Sequence, residues 1–286
     1  MLFRSDNLFL ANFTDFMEIQ PQVTDPPDPV PVPSPLKEGI AFRGVHFQYP
    51  SGEKEVLRGV DLEILPGQVV ALVGENGSGK TTLVKLLCRL HDPSEGEVLL
   101  DGTGLKAFRT AELRRRTTVI FQDFAHYFLP ASENIWLGAV DRKPDAATIA
   151  AAADRAGAGP ALQRLPRGYD TTLGTWFEDG HELSVGEWQK VALARAFFRD
   201  SEIVVLDEPT SAMDAMAEQE VFHAFRDMAA GRTVLLISHR FSTVKMADRI
   251  FVLKEGLVAE SGSHGELMAL RGLYARMFEA QAGAYR

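Results

Sequence analysis

A glycine-rich stretch in the first third of the chain has the residues and spacing of a phosphate-binding loop. It reads GENGSGKTTL, from Gly74, and follows the apolar run VVALV. Gly74, Gly79, Lys80 and Thr81 satisfy the pattern G-x-x-x-x-G-K-[ST]. Glycines allow backbone N–H groups to turn inward around a chain of phosphates, and the start of the following helix adds partial positive charge. This stretch is therefore predicted to bind the phosphates of a nucleotide.

The polar side chains of the stretch have separate predicted roles. Lys80 is expected to contact the β- and γ-phosphates, and Thr81 is expected to supply a hydroxyl to Mg²⁺. The other predicted nucleotide-binding residues of the stretch are Asn76, Gly77, Ser78 and Thr82. The loop alone predicts binding, whereas hydrolysis also needs a carboxylate and a way to orient water.

Three later apolar runs end in polar residues that could complete such a site. In EIVVLDEP, the apolar residues are followed by Asp207 and Glu208. Asp207 is expected to hold Mg²⁺ through water, and Glu208 is expected to activate the attacking water. Gln122 follows TVIF, where its amide could reach the metal or the water, and His239 follows VLLIS, where it could contact the γ-phosphate. Taken singly, each could instead be a solvated polar residue or part of an acidic turn.

The elements that must position these residues alternate along the chain. Strand-like apolar runs and helical segments follow one another after residue 38, which predicts an α/β fold with a mostly parallel sheet covered by helices on both faces. The strand-like runs disappear between residues 123 and 189, and the alanine-rich composition there predicts a helical insertion at about 124–189. The main domain is predicted to cover residues 38–286.

The first 37 residues have a different composition. Residues 21–37 hold seven prolines, which predicts a semi-rigid extended linker. Residues 1–20 place Phe13, Phe16 and other apolar side chains at helical spacing, which predicts one amphipathic helix. Its apolar stripe would pack either on a partner or back onto the domain.

Composition excludes some functions. The chain has 286 residues and a formal net charge of -9, which disfavours nucleic acid as a partner because that binding depends on clustered Lys and Arg. Its apolar runs are too short to span a membrane. The single cysteine, Cys88, is expected to be packed in the helix after the glycine-rich loop, which fits a reducing, cytoplasmic setting.

A further stretch carries a family resemblance. LSVGEWQ, residues 183–189, resembles the LSGGQ signature of ATP-binding cassette (ABC) transporters, and the chain resembles their nucleotide-binding domain, exporter type, over about residues 38–275. The resemblance implies a P-loop NTPase (RecA-like) core with an antiparallel β subdomain and an inserted α-helical subdomain. It also implies ATP and Mg²⁺ as cofactors, and a position at the cytoplasmic face of a membrane.

The resemblance assigns further residues to the site. It implies that Tyr49 stacks on adenine, although Tyr49 could also be an ordinary strand aromatic. It implies that Ser184, Gly186 and Glu187 face the γ-phosphate held by a second copy in a head-to-tail dimer, and that Asp214 crosses the same interface. From the residues alone, Ser184 and Glu187 predict a capping box, and a well-capped helix remains the alternative to a phosphate contact.

Two signature positions depart from the family pattern. Val185 replaces the first glycine, and we expect its side chain to point away from the phosphate. Glu187 replaces the glutamine. Its negative charge interacts favourably with the dipole at the helix start but would repel a nearby phosphate.

The function implied by the resemblance is an ATP-hydrolysing motor that powers export through a membrane domain. The N-terminal helix would be the tail of that membrane domain. The aromatic residues after Gln122, in DFAHYFLP, either receive a loop of that domain or form local core. The sequence around the signature looks most like exporters of peptides and other amphipathic compounds. The alternatives are the ATPase subunit of an importer, a soluble ABC ATPase of chromosome maintenance or translation, and a nucleotide sensor.

Overall fold

The computed structural model describes residues 2–50, 52, 54–208, 224–238 and 240–284. Its strands are β1 (Ile40–Gln48), β2 (Glu55–Ile64), β3 (Val69–Gly74), β4 (Glu95–Leu100), β5 (Thr103–Gly104), β6 (Thr117–Ile120), β7 (Ile203–Asp207), β8 (Thr233–Ile237), β9 (Arg249–Lys254) and β10 (Leu257–Gly262). Its α-helices are α1 (Leu2–Met17), α2 (Lys80–Leu87), α3 (Thr110–Arg116), α4 (Ala131–Trp136), α5 (Ala146–Arg155), α6 (Gly159–Gln163), α7 (Val185–Arg199), α8 (Phe241–Val244), α9 (His264–Leu270) and α10 (Leu273–Ala284).

Two sheets form the centre of the structure. One has the strand order β10-β9-β3-β8-β7-β6, in which only β10 runs antiparallel to its neighbour. The other has the order β2-β1-β4-β5 and is antiparallel throughout. The predicted α/β class, with an antiparallel sheet beside a mostly parallel core, is confirmed.

Both faces of the parallel sheet are covered. Along β3, Val70 and Leu72 belong to one buried cluster, together with apolar side chains of α2 and of the antiparallel sheet. Ala71 and Val73 belong to a second cluster, which contains the buried side chains of α7. Because successive side chains of a strand point to opposite faces, the two clusters lie on opposite sides of the sheet.

The parallel strands end together at one edge. β3 ends at Gly74 and β7 ends at Asp207. Asp207 pairs with Ile237, the last residue of β8, and Ile237 in turn pairs with Leu72 of β3. The polar residues that follow these strands are therefore brought to the same edge, where ligands bind in open α/β sheets.

Helix α1 lies in the N-terminal segment in which a helix was predicted. Its described apolar side chains are largely in solvent, with Leu10 58%, Phe13 54% and Phe16 67% exposed. Within the part of the chain that the structure describes, we find no helix that combines the length and the apolar character needed to cross a membrane.

The proline-rich segment lies against the main domain. The Val30 N–H donates to the carbonyl oxygen of Ala107 at 3.0 Å. The Leu36 N–H donates to Oε1 of Glu202 at 2.7 Å, and the Leu36 side chain is buried. The predicted linker is thus bound to the domain, which proline spacing alone does not indicate.

A buried arginine fixes the start of this segment. Arg89, 2% exposed, donates to the carbonyl oxygens of Thr24 at 2.7 Å and Phe108 at 2.9 Å. Oδ1 of Asp25 accepts the N–H of Thr110 at 2.8 Å, so the segment also caps the first turn of α3. Arg89 follows α2 closely in the chain, so the segment is anchored beside the helix that begins at the glycine-rich loop.

We predict that Arg89→Met lowers the free energy of unfolding by about 2–4 kcal/mol, because two carbonyl groups lose a charged hydrogen-bond donor. Chemical denaturation measures the change. Arg115→Met is the matched control, since Arg115 is 60% exposed and its ion pair with Asp141 is a surface pair. Equal stability of the two variants would contradict an anchoring role for Arg89.

Candidate nucleotide-binding site

The glycine-rich loop connects the end of β3 to the start of α2. Gly74 has a φ of 154°, and a Cβ there would overlap the carbonyl oxygen of Leu253. Gly79, the N-cap residue of α2, has a φ of 107°, and a Cβ there would lie 2.5 Å from Cδ2 of Leu57. Both positions therefore favour glycine for backbone conformation, and at Gly74 the neighbouring backbone also leaves no space for a side chain.

Lys80 begins α2 and is buried within the loop. Its Nζ donates to the carbonyl oxygens of Gly74 at 2.8 Å and Glu75 at 3.0 Å. Burial lowers the pKa of Lys80, and the nearby carboxylates of Glu208 and Asp207 raise it, with a net shift downward. The ammonium group of the loop is therefore within electrostatic reach of both strand-end carboxylates.

The two carboxylates differ in backbone conformation. Asp207 is the last residue of β7 and is buried, with 3% of its surface exposed. Glu208 has a φ of 49°, and its N–H donates to the carbonyl oxygen of Ile237 at 2.9 Å. A positive φ is uncommon for a residue other than glycine and is concentrated at functional sites. The extended conformation of β7 therefore ends at Asp207.

One cleft brings most of the predicted residues together. Its volume is about 640 Å³, within the range of roughly 300–1,000 Å³ typical of small-molecule sites. The lining residues are Tyr49, Val56, Asn76, Gly77, Gly79, Lys80, Thr81, Thr82, Gln122 and Glu208. Sequence reasoning missed Val56, because an apolar residue in a strand carries no signal for ligand contact.

Tyr49 is joined to the phosphate-binding helix. Its hydroxyl lies 3.2 Å from Oγ1 of Thr82, which is buried on α2. The aromatic residue expected to contact a base and the helix expected to contact phosphates therefore form one side of the cleft.

Gly74, Ser78 and Asp207 are described residues that do not line this cleft. Ser78 is buried in the loop, and among the described residues its Oγ has no hydrogen-bond partner. Asp214 and His239 lie outside the described residues. The signature residues are not part of the lining; they lie at the start of α7.

The predicted capping box at the start of α7 is confirmed. Oγ of Ser184 accepts the Glu187 N–H at 3.3 Å. Oε2 of Glu187 accepts the Ser184 N–H at 2.9 Å and the Ser184 hydroxyl at 2.8 Å. Val185 is 55% exposed, and Gly186 is half-buried. The Ser184 hydroxyl is thus held by the carboxylate of Glu187.

The carboxylate of Glu187 is charged at neutral pH. Burial raises the pKa of Glu187, but hydrogen bonds from Ser184 and the charges of Arg164 and Lys190 lower it, with a net shift downward. The start of α7 therefore carries a negative charge beside the hydroxyl that the family signature would direct at a phosphate.

We predict that Glu187→Gln leaves ATP turnover unchanged or raises it by up to about threefold, because glutamine keeps a capping acceptor and removes the charge near the expected phosphate. Steady-state hydrolysis measures this effect.

The matched control is Glu266→Gln, since Ser263 and Glu266 form the same capping box at the start of α9. It corrects for any general effect of weakened capping on stability. A loss of turnover greater than tenfold in Glu187→Gln alone would show a specific role for the carboxylate.

The loop after Gln122 is fastened to α7. Nη1 of Arg195 donates to the carbonyl oxygen of Ala125 at 2.7 Å. The rings of His126 and Trp188 stack with centroids 4.3 Å apart, and Nε1 of Trp188 donates to Oε1 of Glu182 at 2.8 Å. These contacts were not predicted, because residues far apart in sequence make them.

The aromatic residues of this loop differ in burial. Phe124 packs against the buried cluster that contains α7. Tyr127 and Phe128 are 43% and 40% exposed. They lie at the surface, near the cavity between the parallel sheet and α7 that Tyr127 helps to line.

A buried lysine in a glycine-rich loop, close to two carboxylates at the end of a parallel strand, is the arrangement of a P-loop nucleotide-binding protein. The family model for ABC transporters matches residues 57–211. The chain belongs to the ABC transporter family.

The similar proteins include lipid A-core flippases, a subtilin transport ATP-binding protein and an Atm1-family ABC exporter, and the exporter-type resemblance is confirmed. The chain is 40% identical over 250 residues to the ATP-dependent lipid A-core flippase of Chromohalobacter salexigens, covering 87% of this chain and 42% of the relative. It is 34% identical over 277 residues to the subtilin transport ATP-binding protein SpaT of Bacillus subtilis, covering 97% of this chain and 45% of the relative.

A solved structure agrees. A bacterial Atm1-family ABC exporter with ATP bound matches with a TM-score of 0.87 and 35% identity, over 98% of this chain and 48% of that chain. The chain therefore spans less than half the length of each of these three proteins.

Proposed function

We propose that this chain is the ATP-binding and ATP-hydrolysing motor domain of an ABC exporter. The observation that carries the proposal is the cleft that brings Lys80 of the glycine-rich loop together with Glu208, while Asp207 lies buried directly before Glu208 at the end of β7. A phosphate-binding loop next to a strand-end carboxylate pair supplies both parts that hydrolysis needs.

The predicted site residues have separate roles in the proposal. The N–H groups of the loop and Lys80 bind the phosphates of ATP, and Tyr49 stacks on adenine. Glu208 accepts a proton from the attacking water. Gln122 orients that water, and His239 contacts the γ-phosphate.

The residues present also fit Mg²⁺. Thr81 and Gln122, which line the cleft, offer a hydroxyl and an amide oxygen, and Asp207 offers a carboxylate close to Lys80. Mg²⁺ binds preferentially to oxygen ligands of this kind and keeps several waters. When bound, it would neutralise charge on the phosphates.

The working unit in the proposal is a head-to-tail dimer of two such domains. Ser184, Gly186 and Glu187 do not line the cleft of their own chain, which is compatible with a contact to ATP held by a second copy. Asp214 is proposed to cross the same interface.

We propose that residues 38–286 form this nucleotide-binding domain, with a helical subdomain at about 124–189. Helix α1 is the tail of a membrane domain, and residues 21–37 connect α1 to the nucleotide-binding domain. The exposed side chains of Phe13 and Phe16 support a partner for α1. The domain would act at the cytoplasmic face of the membrane, and a peptide or other amphipathic compound is the proposed cargo.

ATP hydrolysis measured against protein concentration tests the proposal, with the variant Glu208→Gln as background. A rate that rises faster than linearly, and is absent from the variant, is expected for a site completed by a second copy. A strictly linear rate would contradict the composite site. ATP binding without turnover at any concentration would contradict a self-sufficient motor and favour a nucleotide sensor.

A further inference from the structure

Tyr49 is surrounded by side chains on or just after α2. Beside the contact of its hydroxyl with Thr82, Nζ of Lys85 lies 5.2 Å from the centroid of the tyrosine ring. The ring of His91 lies 5.4 Å away at an interplanar angle of 87°. The ring of Phe47, on β1, lies 4.9 Å away at 84°.

These contacts divide by their position relative to the cleft. Tyr49 and Thr82 line the cleft, whereas Lys85, His91 and Phe47 do not. Lys85 lies over the tyrosine ring, and the rings of His91 and Phe47 meet it nearly at right angles. Tyr49 itself is half-buried and lines the cleft, so it can contact a ligand there.

We propose that Lys85 is a positioning residue for nucleotide binding, which acts through Tyr49 by holding its ring ready to stack on the base. The inference rests on the proposed function, since it takes Tyr49 as the residue that contacts adenine. An ammonium group near an aromatic ring is attracted by the ring quadrupole, more strongly where it is partly desolvated. Lys85 is half-buried.

Holding the ring in place before binding lowers the entropy lost when the nucleotide binds. This benefit is limited to ligands that have a base. A ligand that consists of phosphates alone would be bound by the loop and by Lys80, whose Nζ donates to the carbonyl oxygens of Gly74 and Glu75.

The two lysines of α2 would therefore have separate tasks. Lys80, at the first position of the helix, is buried beside the strand-end carboxylates. Lys85, in the last turn, approaches the aromatic ring. Because both lysines belong to one helix, the surface for the base and the surface for the phosphates keep a fixed distance and orientation relative to each other.

Equilibrium binding of two ligands to the full chain tests the inference, with ATP and inorganic tripolyphosphate as probes. Lys85→Met is expected to weaken ATP binding by about three- to tenfold and to change tripolyphosphate binding by less than about twofold. Lys85→Arg is expected to keep ATP binding close to that of the unmodified chain, because a guanidinium also stacks on aromatic rings.

A double-mutant cycle with Tyr49→Leu shows whether Lys85 acts through the tyrosine. In that background, Lys85→Met is expected to have no further effect on ATP binding. Equal losses for ATP and tripolyphosphate, or an undiminished effect in the Tyr49→Leu background, would overturn the inference. Thermal unfolding of each variant verifies that the fold is retained.

His91→Ala provides a second variant that leaves the charge of α2 unchanged. It is expected to weaken ATP binding and to spare tripolyphosphate binding, as Lys85→Met does. A chain that binds ATP and never hydrolyses it would contradict the motor function, whereas the Lys85 inference is decided by the binding ratio alone.

Discussion

Glu208→Gln is expected to lower ATP turnover by about 10²- to 10⁴-fold, the usual contribution of a general base. Glutamine has nearly the same shape but cannot accept the proton of the attacking water at neutral pH. Glu208 lines the cleft at the end of β7, and its carboxylate affects the pKa of Lys80. ATP binding should change by less than about threefold, because the phosphate-binding loop stays intact.

Single-turnover hydrolysis and equilibrium ATP binding measure the two parts of this prediction. Glu255→Gln is a matched control, since Glu255 also has a positive φ, 51°, but lies in the exposed turn between β9 and β10. It corrects for any effect of the substitution on a strained backbone. Retained hydrolysis in Glu208→Gln would exclude Glu208 as the base.

Lys80→Met is expected to weaken ATP binding by about 10- to 100-fold, as expected when a hydrogen bond to a charged group is lost. A second effect acts in the same direction. The ammonium of Lys80 offsets the repulsion between the triphosphate and the carboxylates of Asp207 and Glu208, and this offset would be lost in the variant.

Titration calorimetry with ATP measures this loss. Lys106→Met is the control, because Lys106 is exposed in the short 3₁₀-helix Leu105–Ala107 and is not part of the cleft lining. ATP affinity within twofold of the unmodified chain in Lys80→Met would show that the loop binds phosphate without its lysine.

Features with a local sequence pattern were predictable. The glycine-rich loop, the apolar runs that end in carboxylates and the capping box at α7 each occupy fewer than about ten consecutive residues, and the backbone conformations they need follow from residue type. The boundary of α2 shows the limit of this precision. Cys88, predicted inside the helix, is its C-cap residue.

Contacts between distant parts of the chain were not predictable. Asp25 caps α3 through Thr110, 85 residues away in sequence, and neither residue is marked by a pattern. The stack of His126 on Trp188 joins two segments in the same way. Such contacts depend on how the elements pack, which periodicity and spacing do not specify.

The same limit applies to the site. Gln122, Glu208 and the loop were predicted as one group because the carboxyl ends of parallel strands lie at one edge. The support behind Tyr49 was not, because Lys85 and His91 have no spacing that distinguishes them from other polar residues of a helix and its end. The support became visible only from ring distances and angles.

The burial of Cys88 makes the chain suited to chemical labelling. Cys88 is the single cysteine, is 5% exposed, and burial raises its pKa to about 12. At neutral pH the thiol there is therefore held in its protonated, unreactive form. A cysteine introduced at an exposed position, as in Val185→Cys, should therefore be the one residue that reacts with a maleimide dye. The proposed approach of a second copy to α7 can then be followed by fluorescence without first removing the native thiol.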